Sequence, residues 1–164
     1  LAMAMGFVKR KGVDYLLEIP NLLNENEILI LVGLDDSDFA KLPPNNCIGI
    51  KKTNNSSELA EWYSLADVFI NPTLEDNFPT TNIEALACGT PVITFNTGGA
   101  PESVDNQTGI VVDKGDITGL INAIRKVLSN GKSYYSSNCV LKAQHCYEKE
   151  AQYNKYIELY KNII

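Results

Sequence analysis

Asp67-Val68-Phe69-Ile70-Asn71-Pro72-Thr73-Leu74-Glu75-Asp76-Asn77-Phe78-Pro79-Thr80-Thr81-Asn82-Ile83-Glu84-Ala85-Leu86-Ala87-Cys88-Gly89-Thr90-Pro91-Val92-Ile93-Thr94-Phe95 contains a complete strand–loop–helix–strand unit. The apolar run Val68–Ile70 is short, rich in strand formers and closed by Pro72, which cannot donate to a sheet. A helix is expected from about Thr81 to Gly89. Gly89 suits the left-handed position that ends helices, and Pro91 stands two residues beyond it. Val92–Phe95 is then a second strand.

The same alternation extends in both directions. Leu1–Phe7 is a continuous apolar run, suited to a strand buried on both faces. Val13, Leu16 and Leu17 recur at helical spacing, and Pro20 is expected to end or kink that helix. Ile28–Val32 and Cys47–Ile50 read as strands. The stretch between them, Leu34–Asn46, reads as loop with a helical turn. Asn55 or Ser56 can cap a helix whose apolar set is Leu59, Trp62, Tyr63 and Ala66. Ile110–Val112 makes a sixth strand. Asp116 can cap a helix bearing Leu120, Ile121, Ile124 and Leu128, stopped near Gly131. A last helix carries Tyr153, Tyr156, Ile157, Tyr160 and Ile164. Strands alternating with helices imply an α/β fold, a Rossmann-like doubly wound parallel sheet. Ligands of such folds bind beyond the carboxyl ends of the strands. The chemistry is therefore expected in the loops around Gly6–Gly12, Lys51–Asn55, Pro72–Thr81 and Asn96–Glu102.

Composition removes several function classes. The chain has 164 residues, 45% of them apolar, and a net charge of -6. That suits one globular domain. It offers no basic excess to displace counterions from nucleic acid. No apolar run approaches the roughly 20 residues that span a bilayer. Cys47, Cys88, Cys139 and Cys146 are scattered, with no C-x-x-C spacing, which favours reduced thiols in a cytosolic setting over disulfides or zinc. No Gly-x-Gly-x-x-Gly follows the first strand, which argues against an ordinary dinucleotide site.

The loop after Ile70 places carboxylates and free backbone amides at a helix N-terminus. First-turn N–H groups lack internal partners and the helix dipole is positive there, so the position suits an anion such as phosphate. Asp76 and Glu84 flank it, able to accept hydrogen bonds from hydroxyls. A purely structural alternative exists: Thr81 and Glu84 have capping-box spacing, so Glu84 can simply bond the cap's own N–H.

This stretch resembles the signature of retaining, GT-B-fold glycosyltransferases of family 4. Their pattern has two acids separated by seven residues and then a small-residue helix end like Ala87-Cys88-Gly89-Thr90-Pro91-Val92. Here the pair falls on Asp76 and Glu84. The first acid is usually Glu, and Glu75 stands next to Asp76. Gly98-Gly99-Ala100-Pro101-Glu102 and Lys9-Arg10-Lys11-Gly12 also match, so the resemblance runs from about Met5 to Asp116. It implies that residues 1–164 form the donor-binding, C-terminal half of a two-domain enzyme. The acceptor-binding domain would lie outside this chain, with Leu1 as a cut rather than a natural start.

Carried over by position, the resemblance implies that Glu84 holds the ribose hydroxyls of a nucleotide-sugar. Asp76, with Glu75, sits by the donor sugar. The backbone of Asn77, Phe78, Pro79, Thr80 and Thr81 meets sugar and diphosphate. Lys11, beside Gly12, pairs with the diphosphate, and Asp76 and Lys11 are the catalytic pair. No metal or other cofactor is implied, because cations and helix dipole neutralise the leaving group. The implied partners are the nucleotide-sugar donor and a sugar or lipid-linked acceptor, with the whole enzyme cytoplasmic and its acceptor either at the inner membrane face, where the enzyme would be peripheral, or in the cytosol. The family's Arg at the end of the first strand is replaced by Gly6, or by Phe7 if the loop slips. Arg10 is the nearest substitute. That departure motivates a second reading, a degenerate binding module without turnover. A nucleotide-sugar 2-epimerase is a remoter one, since it needs more histidines than this chain has.

Other features have plainer readings. The backbone of Ile50 is placed by the resemblance near the base, with Lys51 and Lys52 either there or simply solvated. Asp35, Asp36 and Asp38 contain an Asp-x-Asp, read as a hydrophilic turn rather than a metal site. His145 reads as structural. The tyrosines Tyr147, Tyr153, Tyr156 and Tyr160 read as one helical stripe packed on a neighbouring surface.

Overall fold

The computed structural model describes residues 2–5 and 7–163, with side chains from Phe7 onward. Leu1, Gly6 and Ile164 lie outside the described residues, and with Gly6 goes the position where the resemblance leads one to expect an Arg. Among the described residues six strands form one parallel sheet: β1 (Ala2–Met5), β2 (Leu29–Leu34), β3 (Cys47–Lys51), β4 (Val68–Asn71), β5 (Val92–Phe95) and β6 (Gly109–Val112). Their order is β3-β2-β1-β4-β5-β6, as expected for a doubly wound sheet. The order reverses between β1 and β4. Crossovers to either side of that point leave in opposite directions, opening a crevice at the strands' carboxyl ends.

Among the described residues seven α-helices accompany the strands: α1 (Val13–Leu22), α2 (Asp36–Phe39), α3 (Ser56–Leu65) and α4 (Thr80–Ala87) between strands, and α5 (Ile117–Asn130), α6 (Lys132–Tyr147) and α7 (Lys149–Ile163) after the last one. α1 packs on α5 over one face of the sheet, while α3, α4 and α6 pack together over the other. Both faces are therefore covered, which is why β4 and β5 are buried at every position. Leu16 and Ile19 of α1 and Leu120, Ile124 and Val127 of α5 fill one layer. Tyr63, Ala85, Leu86 and Cys139 lie in helices of the other. Asp116 caps α5, its Oδ1 accepting from the Gly119 N–H at 2.8 Å.

Three expectations need correction. α1 does not end at Pro20 but runs two residues beyond it to Leu22. Pro20 lies in the last turn, where little helix remains to be broken, and burying its ring beside Leu16 and Ile19 offsets the lost N–H bond. The C-terminal region holds two helices rather than one. α6 was hidden by its thin apolar face, Tyr135, Cys139 and Ala143, set among polar residues. Tyr147 thus belongs to α6, and the α7 tyrosines Tyr153, Tyr156 and Tyr160 are exposed rather than packed. His145 is likewise exposed, in the last turn of α6.

Candidate functional site: an anion-binding corner at the sheet switch point

Two loops meet at the crevice between β1 and β4. The first is a tight 3₁₀ turn, Lys9–Lys11, ended by Gly12 with φ 79°. The second is the Pro72–Pro79 loop. The Arg10 carbonyl joins them, accepting from the Leu74 N–H at 2.9 Å, the Glu75 N–H at 3.2 Å and Thr73 Oγ1 at 3.3 Å. Gly12 has two reasons to be glycine: its positive φ, and a Cβ there would overlap the Pro72 carbonyl oxygen. So the role of Arg10 visible in the structure belongs to its backbone; its side chain is exposed.

A third loop braces the second from behind. Gly98, with φ 52°, lies so close to the Asp76 carbonyl oxygen that a side chain would not fit. The Gly99 N–H donates to the Asn77 carbonyl at 2.8 Å. Phe78 packs its ring on Tyr147, centroids 5.9 Å apart. These contacts fix the backbone of Asp76 and Asn77 on both sides. The Lys11 ammonium is thereby brought into an ion pair with Asp76 Oδ2, with side-chain exposures of 24% and 14%. Glu75, one residue earlier, is exposed.

α4 begins at Thr80, with Pro79 as its N-cap and no side-chain cap bond. Pro79 has no hydroxyl or carboxyl to offer the first-turn amides. The Asn82 N–H donates to the Pro79 carbonyl at 3.1 Å, and the Thr80 and Thr81 amides are left for another acceptor, at the positive end of the helix dipole. The capping-box alternative for Glu84 is not realised. Its Oε2 instead accepts from the Tyr63 hydroxyl at 3.1 Å. Tyr63 is buried in α3, and burial together with the charge of Glu84 pushes its phenol above the ordinary tyrosine range. It therefore stays a neutral donor. Between α3 and α4 lies a cleft of about 370 Å³, lined by Ser56, Leu59, Ala60, Tyr63, Glu84, Ala87 and Cys88.

Beneath the site runs a buried polar chain. The Asn71 side-chain amide donates to Asn82 Oδ1 at 2.8 Å, the Asn82 amide donates to Ser103 Oγ at 2.9 Å, and Ser103 donates to the Ala100 carbonyl at 2.7 Å. It ties β4, α4 and the turn after Gly99 into one unit. An unmade bond in such a place costs about 1–3 kcal/mol. Asn82 and Tyr63 were not singled out from sequence. A polar residue on the buried face of α4, in line with Ala85 and Leu86, was the available signal for Asn82. Tyr63 read only as one apolar member of its helix.

The remaining candidates fall elsewhere. Ile50, in edge strand β3 opposite Val32, packs its side chain on the core. Lys51, the last residue of β3, pairs with Asp36 at 2.6 Å, and Lys52 is exposed. Asp35 caps α2, accepting from the Ser37 and Asp38 N–H groups, and Asp38 binds Lys41 at 2.9 Å. The acidic cluster is thus a hydrophilic turn. Among the described residues, no group of three or more His, Cys, Asp or Glu side chains could hold a metal. All four cysteines are free, and burial pushes the Cys139 thiol up to about 12. No helix among the described residues is long and apolar enough to cross a membrane.

Fold and site together define a Rossmann-like unit with an ion-paired loop junction and an uncapped helix start at its switch point. The chain belongs to the group 1 glycosyltransferases, whose family pattern matches residues 1–130. It is 33% identical over 135 residues to the capsular polysaccharide biosynthesis glycosyltransferase CapM of Staphylococcus aureus, covering 75% of this chain and 35% of that protein. It is 46% identical over 57 residues to a D-inositol 3-phosphate glycosyltransferase of Paenarthrobacter aurescens, covering 34% and 14%. Among solved structures, sucrose-phosphate synthase from Thermosynechococcus elongatus superposes with TM-score 0.82 at 25% identity, over 99% of this chain and 45% of that one. Anabaena HepE, solved in complex with UDP, superposes with TM-score 0.79 at 20% identity, over 99% and 49%. The fold is that of GT-B glycosyltransferases. The chain spans less than half the length of each of these proteins.

Proposed function

We propose that this chain is the donor-binding half of a retaining, metal-independent hexosyltransferase that takes a nucleoside-diphosphate sugar. The observation that carries this reading is the convergence of Lys11, Asp76 and the uncapped start of α4 at the switch point, with Glu84 one turn further along. The diphosphate meets the first-turn amides of α4 and the Lys11 ammonium. The ribose hydroxyls donate to Glu84, held by Tyr63. The sugar lies against Asp76, with Glu75 and the backbone of Asn77–Thr81 around it. When the bond from the sugar's anomeric carbon to the diphosphate breaks, its electron pair leaves with the nucleotide. Lys11 and the helix dipole stabilise that charge, which is the role a metal would otherwise fill.

The acceptor belongs on a second domain outside this chain. A sugar or lipid-linked acceptor at the inner membrane face fits the relationship to CapM, whose name places it in capsular polysaccharide synthesis. By itself the chain is expected to bind donor weakly and to transfer little or nothing. Gly6, at the position where the resemblance leads one to expect Arg, motivates a second reading, a module that keeps the fold without turnover. Calorimetric titration with UDP, GDP and ADP separates the two. Binding of one nucleotide, weakened about tenfold or more by Lys11→Ala, supports the donor site, since a lost bond to a charged group costs about 1.5–3 kcal/mol. Absence of binding by all three favours the module. Steady transfer by the isolated chain at rates typical of enzymes would sink the half-enzyme reading.

A further inference from the structure

Lys11 and Asp76 are ion-paired across the crevice, and the loops that carry them are locked together. The Lys9–Lys11 turn and the Pro72–Asp76 loop are joined through the Arg10 carbonyl, and Gly98 stands directly behind the Asp76 carbonyl. The two side chains are mostly shielded from solvent, so water screens their pairing less than it would on an open surface. A diphosphate seated on the first turn of α4 must therefore share Lys11 with Asp76 or take it away.

We infer that Asp76 sets the preference of this site between a nucleoside-diphosphate sugar and the free nucleoside diphosphate. The inference rests on the donor-site reading above. The two ligands differ at the atoms that reach Asp76. A nucleotide-sugar ends there in hydroxyls, which can donate to the carboxylate and compensate it for a weakened bond to Lys11. A nucleoside diphosphate ends in a terminal phosphate with a second ionisation near neutral pH. It brings one more negative charge, no hydrogen-bond donor, and a demand for the same ammonium. Asp76 therefore opposes the product more than the donor. It favours product release and donor capture without contributing to phosphate binding.

The consequence is counterintuitive for a site residue: removing its charge tightens one ligand. Calorimetry on the chain with UDP, GDP and ADP, and with UDP-glucose, GDP-mannose and ADP-glucose, tests this in wild type, Asp76→Asn, Lys11→Ala and the double variant. Asp76→Asn is expected to bind the free diphosphate about three- to tenfold more tightly, the range for a partly screened charge pair, and the nucleotide-sugar no more tightly. In the Lys11→Ala background that gain should largely disappear. Asp76→Ser, checked by thermal melting, replaces the Asn variant if the latter does not fold. Three results would overturn the inference while leaving the donor site intact: weaker diphosphate binding in Asp76→Asn, equal changes for both ligands, or the same tightening in Glu75→Gln, where the charge next door lies outside the ion pair. Wild-type protein that binds none of the six ligands would sink the donor-site reading itself.

Discussion

The two ends of the crevice are built in opposite ways. At the Lys11–Asp76 end, two opposite charges are carried on irregular loops. Those loops are held by backbone hydrogen bonds and by glycines at positive φ. At the Glu84 end, a single carboxylate stands on a regular helix and is steadied by a neutral phenol from the next helix. The first arrangement suits a place where charge develops during reaction, because an ammonium fixed by its surroundings needs no reorganisation. The second suits recognition of hydroxyls, where one acceptor at a fixed height is enough. Damage should therefore propagate differently: by backbone displacement at the first end, by loss of one directed bond at the second.

Gly12→Ala is the harshest way to break the first end. The left-handed φ alone costs about 1–2 kcal/mol in a residue with a Cβ, and the Pro72 carbonyl must also retreat. Urea unfolding should show a loss above about 2 kcal/mol, and nucleotide binding should fall together with it. A variant of unchanged stability would show that the two loops are not locked.

Tyr63→Phe sharpens the contrast at the other end. It keeps the packing of a buried ring and removes one hydroxyl, so stability should fall by only about 1 kcal/mol. Affinity for a ribonucleoside diphosphate should drop about three- to tenfold, while affinity for its 2′,3′-dideoxy analogue stays nearly constant. Equal losses for both ligands would mean that Tyr63 is structural only. The smallest effect is expected at Lys51→Ala. Its pairing with Asp36 is exposed, so stability should change by less than about 0.5 kcal/mol and nucleotide affinity hardly at all. A large loss of binding there would move the base-recognition site towards β3.

The same contrast explains what could be read in the sequence. The sheet was legible because strands buried on both faces appear as short apolar runs, and the loops at their carboxyl ends follow from the winding. The Lys11 and Asp76 loops were picked out by the resemblance, and several of its motif residues, Gly12, Gly98 and Gly99, stand where tight turns and close approaches demand glycine. Tyr63 and Glu84 are 21 residues apart, on different helices, and no local pattern joins them. Asn82 left a signal, a polar residue in line with Ala85 and Leu86, but its partners were not readable, since they come from β4 and from the turn at Ser103. Pro20 misled because proline breaks a helix interior but is tolerable near a helix end. The exposed tyrosines of α7 show the converse: a stripe is readable, but what covers it is not written in the stripe.

The central claim is that a nucleoside diphosphate lies along this crevice, phosphates at the start of α4 and ribose at Glu84. Backbone amide NMR of the ¹⁵N-labelled chain, titrated with whichever of UDP, GDP or ADP binds, tests it most directly. The account predicts the largest shifts at Lys11, Gly12 and residues 76–84, with Thr80 and Thr81 foremost. Shifts confined to β6 and α5, with the α4 amides unmoved, would contradict it.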